Sequence, residues 1–269
     1  MASTTSNQQS TTGNGVRLAG KKAIITGGAA GMGRATSLAF ANEGASVTIF
    51  DIQKEAGEEV AELIKANGGS ARFIEVDLSH TDQVDRAFDE VADQIGPYDV
   101  LFNHAGTIIV KALHETTPDE YDRLMAINVR SAFLVCRRAV KEMSDNGGGS
   151  IIITGSIASE LGYPLESVYC MTKGAVLQLA RTISAEYRDQ GIRCNAVCPG
   201  FVKTAHGLRE ISELDAAGQE WEEGALADAQ GRICEPEEVA AAVVFLASDE
   251  SSFITGNALY VDNGWYAKG

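Results

Sequence analysis

Beyond Lys21 the chain alternates short apolar runs with longer stretches in which apolar residues recur every three or four positions. The short runs predict strands at 22–26, 46–50, 72–76, 99–102, 150–154, 192–197 and 258–261, with turn-forming Gly, Asp, Asn or Pro close to their ends. The longer stretches predict helices at 31–42, 53–67, 81–95, 118–143, 167–188 and 237–247. The strands are close to continuously apolar, as at Ile151, Ile152 and Ile153, which is the pattern of strands buried on both faces. Their alternation with helices predicts an α/β fold, a doubly wound parallel sheet with helices on both faces and right-handed crossovers. Ligands of such sheets sit beyond the carboxyl ends of the strands.

The first 15 residues break this pattern, being almost entirely Ser, Thr, Asn, Gln and Gly. Such a segment cannot bury enough apolar surface to order itself, so 1–15 is expected to be a flexible tail and 16–269 one domain. No apolar run approaches the roughly 18 residues that span a bilayer, and no basic-then-apolar leader opens the chain; cytoplasm is the expected location. The formal charge of −15 argues against nucleic-acid and membrane-surface partners, which need basic patches. The five cysteines are odd in number and show no CxxC spacing, so they are expected to be reduced thiols packed as small apolar residues.

The candidate chemistry falls at the strand ends. The first strand runs into Thr26-Gly27-Gly28-Ala29-Ala30-Gly31-Met32-Gly33 and then directly into a helix. Glycines there allow a tight turn and close approach to a pyrophosphate, and the free N–H groups of the helix face the anion. The second strand ends at Asp51, which can accept hydrogen bonds from both hydroxyls of an adenosine ribose and would repel a 2′-phosphate. Ala30 and Ile52 supply no arginine to offset that repulsion, so NAD is the expected cofactor. Val76-Asp77-Leu78 is positioned to meet the adenine, and Asn103-His104-Ala105-Gly106 forms a turn against the glycine loop. Downstream, Tyr169 and Lys173 are four residues apart in a helical segment and share one face. An ammonium near a phenol favours the phenolate, so Lys173 is expected to lower the Tyr169 pKa and fit it for proton transfer. Ser156, just past the preceding strand, can hold a substrate oxygen as charge develops on it.

Together these residues give the chain a plain resemblance to the short-chain dehydrogenase/reductase family over 18–264. The motifs are the TGxxxGxG loop from Thr26 to Gly33, Asp51, Asp77, the NNAG-like turn at Asn103–Gly106, Asn128, Ser156, the YxxxK of Tyr169 and Lys173, and Pro199-Gly200 followed by Thr204. The resemblance implies a Rossmann-type domain and hydride transfer between an alcohol and a carbonyl. Tyr169 would be the general acid/base, Lys173 would hold the nicotinamide ribose, and Ser156 would orient the substrate oxygen. Asn128 would hold a relay water, and Thr204 with Val202 would fix the nicotinamide carboxamide. A homotetramer is implied, its long helices from Pro118 and Ser167 pairing between subunits. The cofactor set so implied comprises Gly27, Gly31, Met32, Gly33, Asp51, Ile52, Asp77, Leu78, Asn103, Ala105, Gly106, Tyr169, Lys173, Pro199, Gly200, Val202 and Thr204. Two departures from the pattern are His104 in place of a second asparagine, expected to be a packing variant, and Asn263 in place of a glycine. Cys170, next to Tyr169, is expected to point elsewhere on its helix.

The resemblance makes 205–232 a mobile substrate lid. Its carboxylates Glu210, Glu213, Asp215, Glu220, Glu222, Glu223 and Asp228 are expected to form a solvated face; any that turn inward would suit hydroxyl-rich or cationic substrates. Trp221, His206 and Arg209 share the segment. Near the serine, Ala158, Ser159, Glu160, Tyr163 and Leu165 are candidates to line the pocket, with Glu160 and Arg209 the foremost charges. The expected substrate is a polyol, sugar or cyclic secondary alcohol, with a steroid or acyl-carrier thioester as alternatives. A cofactor-binding regulatory or scaffold protein without turnover is the competing reading, and an epimerase or dehydratase a further one. No metal site is expected, since His80, His104, His114 and His206 lack ligand spacing. A serine hydrolase is also disfavoured, because Ser156 is not in a GxSxG elbow.

Overall fold

The computed structural model describes residues 16–219 and 223–268. The predicted tail at 1–15 and the lid residues Glu220, Trp221 and Glu222 lie outside the described residues. Seven parallel strands form one sheet: β1 (Lys22–Thr26), β2 (Ser46–Asp51), β3 (Ser70–Glu75), β4 (Val100–Asn103), β5 (Gly149–Thr154), β6 (Ile192–Pro199) and β7 (Ala258–Val261). Their spatial order is β3-β2-β1-β4-β5-β6-β7. The order reverses between β1 and β4, the crevice where ligands of doubly wound sheets bind.

The helices are α1 (Gly31–Asn42), α2 (Lys54–Ala66), α3 (Thr81–Gln94), α4 (Pro118–Met125), α5 (Ser131–Asp145), α6 (Ser167–Tyr187), α7 (Ala205–Ala216), α8 (Glu223–Gln230), α9 (Pro236–Ala247) and α10 (Trp265–Lys268). Two apolar layers flank the sheet. One contains Ile24, Phe50, Leu101, Ile151 and Cys194 with residues of α3, α5 and α6. The other contains Ile25, Ile49, Phe102, Ile152 and Val197 with residues of α2 and α9. Successive strand residues thus enter opposite cores, which is why their sequence reads as unbroken apolar runs. Cys136, Cys194, Cys198 and Cys234 are buried free thiols and Cys170 is partly buried.

The single helix expected over 118–143 is two helices. A π turn at Ala126–Arg130 separates α4 from α5 and holds Asn128. A π turn inserts one residue into the helical repeat, which redirects the side chains around it without breaking the rod. The start of α4 follows the sequence closely: Thr117 and Glu120 form a capping box and Pro118 occupies the first turn. The remaining predicted elements lie within two residues of the observed ones.

Candidate active site

The β1–α1 loop is shaped by glycine. Gly27 adopts φ +67°, and a Cβ on Gly33 would lie 1.9 Å from the Gly27 carbonyl oxygen. No side chain other than hydrogen fits at Gly33 without moving that backbone. Ala30, the N-cap of α1, gives no side-chain hydrogen bond, so the first-turn N–H groups of α1 remain available to an anion. Asp51 closes the other side. Its buried carboxylate accepts from the Ala29 N–H at 3.0 Å and from the Gln53 N–H at 3.0 Å. Ile52, beside it, is exposed. A negative charge therefore sits inside the loop at the end of β2. The nearby Arg34 faces Glu59 at 3.8 Å.

The β4 end is tied to the same loop. The Thr26 hydroxyl accepts from the backbone N–H groups of His104, at 2.8 Å, and Ala105, at 3.0 Å. Asn103 donates to the Ala132 carbonyl at 3.1 Å, so it braces α5 from within. His104 stacks on Phe102 with ring centres 5.1 Å apart and pairs with the Thr154 hydroxyl at 3.0 Å. Burial, aided by Lys173 and His206, pushes its pKa down to about 3, so it is a neutral packing residue. Gly106 lies against Asn128, where a Cβ would come within 3.2 Å of the amide oxygen. At the β3 end, Leu78 is buried, while the Asp77 carboxylate accepts from Ser79 N–H and Oγ at 2.9 and 2.7 Å. Asp77 thus fixes its own turn.

On the other side of the crevice, Thr204 caps α7 by accepting from the Gly207 N–H at 3.0 Å. A Cβ on Gly31 would lie 3.2 Å from the Thr204 methyl, so the glycine loop and the Thr204 loop meet across the cleft. Val202 pairs with Cys234 as an isolated parallel bridge. Pro199 ends β6, and Gly200 leaves room for Gln230, whose amide oxygen would lie 2.1 Å from a Cβ there.

The proton-handling residues converge between these loops. Ser156, two residues past the end of β5, accepts from the Ala158 N–H at 3.1 Å and lines one cavity with Tyr169. Lys173, buried on α6, donates to the Thr154 carbonyl at 2.9 Å, and its ammonium sits 5.6 Å from the centre of the Tyr169 ring. Burial lowers the Lys173 pKa to about 8, against the opposing pull of Cys198 and Glu210. The expected lowering of the Tyr169 pKa is not what the protein chain produces. Burial holds the phenol well above its usual value, Glu210 raises it further, and Ser156 lowers it only in part. The ammonium is spent on Thr154, and the phenol faces a carboxyl. Asn128 is equally committed: it accepts from the Thr107 N–H at 2.8 Å and donates to the Thr107 carbonyl at 2.8 Å and Thr172 Oγ at 3.0 Å. It locks the segment after β4 onto α6, one residue before Lys173.

A cavity opens beside Ser156 and Tyr169, lined also by Ala158, Tyr163, Phe201 and Trp265. Two carboxyls share it, Glu166 at the N-cap of α6 and Glu210 on α7. Glu210 was expected on a solvated face; instead it is mostly buried, because α7 packs that face against the cavity at the carboxyl end of the sheet. Glu166 did not emerge from the sequence, where it is one polar residue in a loop. Glu160, the foremost candidate charge, turns away: it pairs with Arg181 at 2.6 Å and accepts from the Tyr260 and Tyr266 hydroxyls. Its distance from Ser156 along the chain is short, but a turn at Ile157–Ser159 swings it to the opposite side. Arg209 bonds the Thr107 hydroxyl at 3.3 Å and faces Glu213 at 3.6 Å, bridging α7 to the segment after β4. Burial raises the Cys170 pKa, which leaves the thiol unreactive. Asn263 adopts φ +51° and donates to the Gln230 carbonyl at 2.7 Å, so it fills the glycine position as asparagine can.

The family model described as enoyl-(acyl carrier protein) reductase matches residues 27–266. The chain belongs to the short-chain dehydrogenase/reductase family. It is 34% identical to 2-(S)-hydroxypropyl-CoM dehydrogenase 3 of Xanthobacter autotrophicus, over 93% of this chain and 98% of that protein. It is 37% identical to 2-keto-3-deoxy-L-fuconate dehydrogenase of Xanthomonas campestris pv. campestris, over 93% and 81%. The gluconate 5-dehydrogenase of Burkholderia cenocepacia J2315, solved with NADP and tartrate, superposes with a TM-score of 0.87 at 32% identity, covering 94% and 98%. Members of this family bind a nicotinamide cofactor. The glycine loop, the open N-terminus of α1 and the Thr204 loop fit one here.

Proposed function

We propose that this protein is an NAD(H)-dependent dehydrogenase/reductase that transfers hydride between a secondary alcohol and its carbonyl form. A polyol, sugar or cyclic alcohol is the substrate class. The observation that carries this reading is that Ser156 and Tyr169 line one cavity, with the Lys173 ammonium 5.6 Å from the Tyr169 ring and the glycine and Thr204 loops meeting across the cleft. A binder without turnover has no use for a phenol and a hydroxyl brought together beside a buried lysine.

When bound, the cofactor would supply the hydride acceptor and, in its oxidised form, a positive charge; the glycine loop, Thr204, Tyr169 and Lys173 are the residues that would hold it. The residues do the rest. Ser156 holds the substrate oxygen, and Tyr169 removes its proton during oxidation and returns it during reduction. The protein chain alone keeps Tyr169 protonated. Deprotonation is therefore favoured only when positive charge is added, and this ties proton transfer to cofactor loading. Lys173 would hold the nicotinamide ribose. Asn128 positions the segment at Thr107, and its amide oxygen has a remaining lone pair for a relay water between Lys173 and solvent. Asp51, buried at the end of β2, would bond the adenosine ribose hydroxyls and repel a 2′-phosphate, which supports NAD over NADP.

The segment 205–232 acts as the lid, with α7 carrying Glu210 over the cavity. A homotetramer is supported by a groove at α4, α5 and α6 lined by Met125, Val129, Phe133 and Leu179, in which Phe133 is half exposed. None of the described helices is long and apolar enough to cross a membrane; a cytoplasmic location accords with this.

The test is absorbance at the reduced-nicotinamide band with NAD or NADP and a panel of polyols, sugars and cyclic alcohols. NAD-dependent turnover that falls by at least about a thousandfold in Tyr169→Phe, with NAD affinity kept within about threefold, is the expected result. Turnover retained by Tyr169→Phe would show that another group moves the proton.

A further inference from the structure

Glu166 and Glu210 come from different elements, the N-cap of α6 and the middle of α7, yet line one cavity. Glu166 is 4% exposed and the Glu210 side chain 13%. Among the described residues neither forms an ion pair with a lysine or arginine. The nearest base is His206, whose ring nitrogen is 4.0 Å from Glu210. Burial pushes that histidine down to about 4, so it is neutral. Arg209 is turned to Thr107 and Glu213. Lys173 and Arg209 act on Glu210 only from beyond ion-pair distance, and two carboxyls at this depth without a paired cation are costly unless they share a proton. Burial raises Glu166 to about 7 against a lowering contribution from Glu210, and burial with the charge of Glu166 raises Glu210 to about 8.

The surroundings indicate what replaces that proton. Tyr163, Phe201 and Trp265 line the same cavity, with Trp265 5.7 Å from Tyr163 and 5.6 Å from Phe201. Aromatic faces beside carboxylates form a site for an organic cation. Ser156 and Tyr169 form the opposite wall.

We propose that the Glu166–Glu210 pair, walled by Tyr163, Phe201 and Trp265, is a subsite for the protonated amine of an amino alcohol whose carbinol carbon lies at Ser156 and Tyr169. This rests on the dehydrogenase reading and narrows its substrate to the amine-bearing members of the class. Entry of the ammonium displaces the shared proton to solvent; no bond is made or broken beyond that proton transfer. A carboxylate-bearing alcohol is excluded by like charge. The titratable and charged groups around the pair are Tyr163, Tyr169, Cys170, Lys173, His206 and Arg209. Burial raises the tyrosines and the thiol and lowers His206 to about 4, and Lys173 is lowered to about 8.

The experiment compares three secondary alcohols of similar size on the NAD-loaded enzyme: isopropanolamine (cationic), sec-butanol (neutral) and lactate (anionic). The expected order of kcat/KM is isopropanolamine, sec-butanol, lactate, with about tenfold or more at each step. Glu166→Gln and Glu210→Gln should each lower the ratio of amine to neutral alcohol by about tenfold. Lactate matching the amine, or a ratio unmoved in both variants, overturns the subsite. Calorimetry of isopropanolamine binding in phosphate and in Tris at neutral pH separates this inference from the dehydrogenase reading. Binding with proton release, seen as a buffer-dependent enthalpy, upholds the subsite even if none of the three alcohols is oxidised. Absence of binding overturns it even if sec-butanol is turned over.

Discussion

Replacing Asp51 tests the cofactor assignment most directly. Its carboxylate has two duties that can be separated. It accepts from the N–H groups of Ala29 and Gln53, and it carries a charge at the end of β2. Asp51→Ala removes both acceptors. Asp51→Asn is nearly isosteric and removes the charge, but it sets an NH2 against one of the two N–H donors. Each variant leaves a buried donor unsatisfied, and a loss of about 1–3 kcal/mol in stability is expected from either. Cofactor discrimination follows from the charge alone. A carboxylate about 5 Å from one phosphate charge, at an effective dielectric of roughly 20–40, repels it by about 1.7–3.3 kcal/mol, or roughly 15- to 250-fold. Both variants should therefore shift the ratio of NAD to NADP affinity towards NADP by an amount in that range. Loop damage weakens both cofactors and cancels in the ratio. Fluorescence titration of the reduced cofactors gives the ratio without a substrate, and a melting curve gives the stability loss. A ratio that moves less than about threefold in both variants would refute the argument and leave the binding of NADP, as in the Burkholderia relative, open for this chain.

Two further outcomes follow from the geometry. Gly33→Ala places a methyl 1.9 Å from the Gly27 carbonyl oxygen, a contact only backbone movement can relieve. It should cost about 2 kcal/mol or more in stability and weaken cofactor binding at least about tenfold, read by thermal melting and fluorescence titration. Glu210→Gln should alter the pH dependence of stability. Glu166 and Glu210 have raised pKa values, so the folded protein binds more protons than the unfolded chain between about pH 4.5 and 8. The stabilisation is complete below the unfolded carboxyl pKa and is lost as pH rises through 7 to 8. Glutamine mimics the protonated acid and cannot ionise, so the variant's melting temperature relative to the parent should rise from about pH 5 to pH 9. A flat difference would show that the two carboxyls do not share a proton.

The sheet was legible because its strands face two cores at once, and two-sided burial writes itself into the sequence as unbroken apolar runs. The glycine loop was legible for a different reason: Gly33 has a steric necessity at one position, and Tyr169 and Lys173 have a helical spacing that survives folding unchanged. Local rules of this kind need no tertiary information. The π turn at Ala126–Arg130 left no such mark, since one inserted residue shifts the apolar repeat too little to interrupt a helix of this length.

Charge placement is where nearness along the chain misleads. Glu160 follows Ser156 by four residues and leaves the pocket, while Glu210, in a segment rich in carboxylates, enters it. Neither outcome is encoded by the residue's own neighbourhood. Glu160 leaves because Arg181, Tyr260 and Tyr266 wait on the far side, and the last two arrive from the C-terminal end of the chain. Glu210 enters because Leu214, one turn on along α7, is buried with Phe201 and Leu226, which fixes the face that α7 presents to the catalytic end. Once that face is fixed, Glu210 has to meet Glu166, and the phenol of Tyr169 has to feel a carboxyl. The lysine's influence on Tyr169, predicted from their spacing alone, is then outweighed by burial and by a charge from a helix some forty residues away along the chain. A tyrosine that its own protein keeps protonated accords with the proposed dehydrogenase, in which proton transfer would wait for positive charge from the oxidised cofactor and from the amine of the substrate.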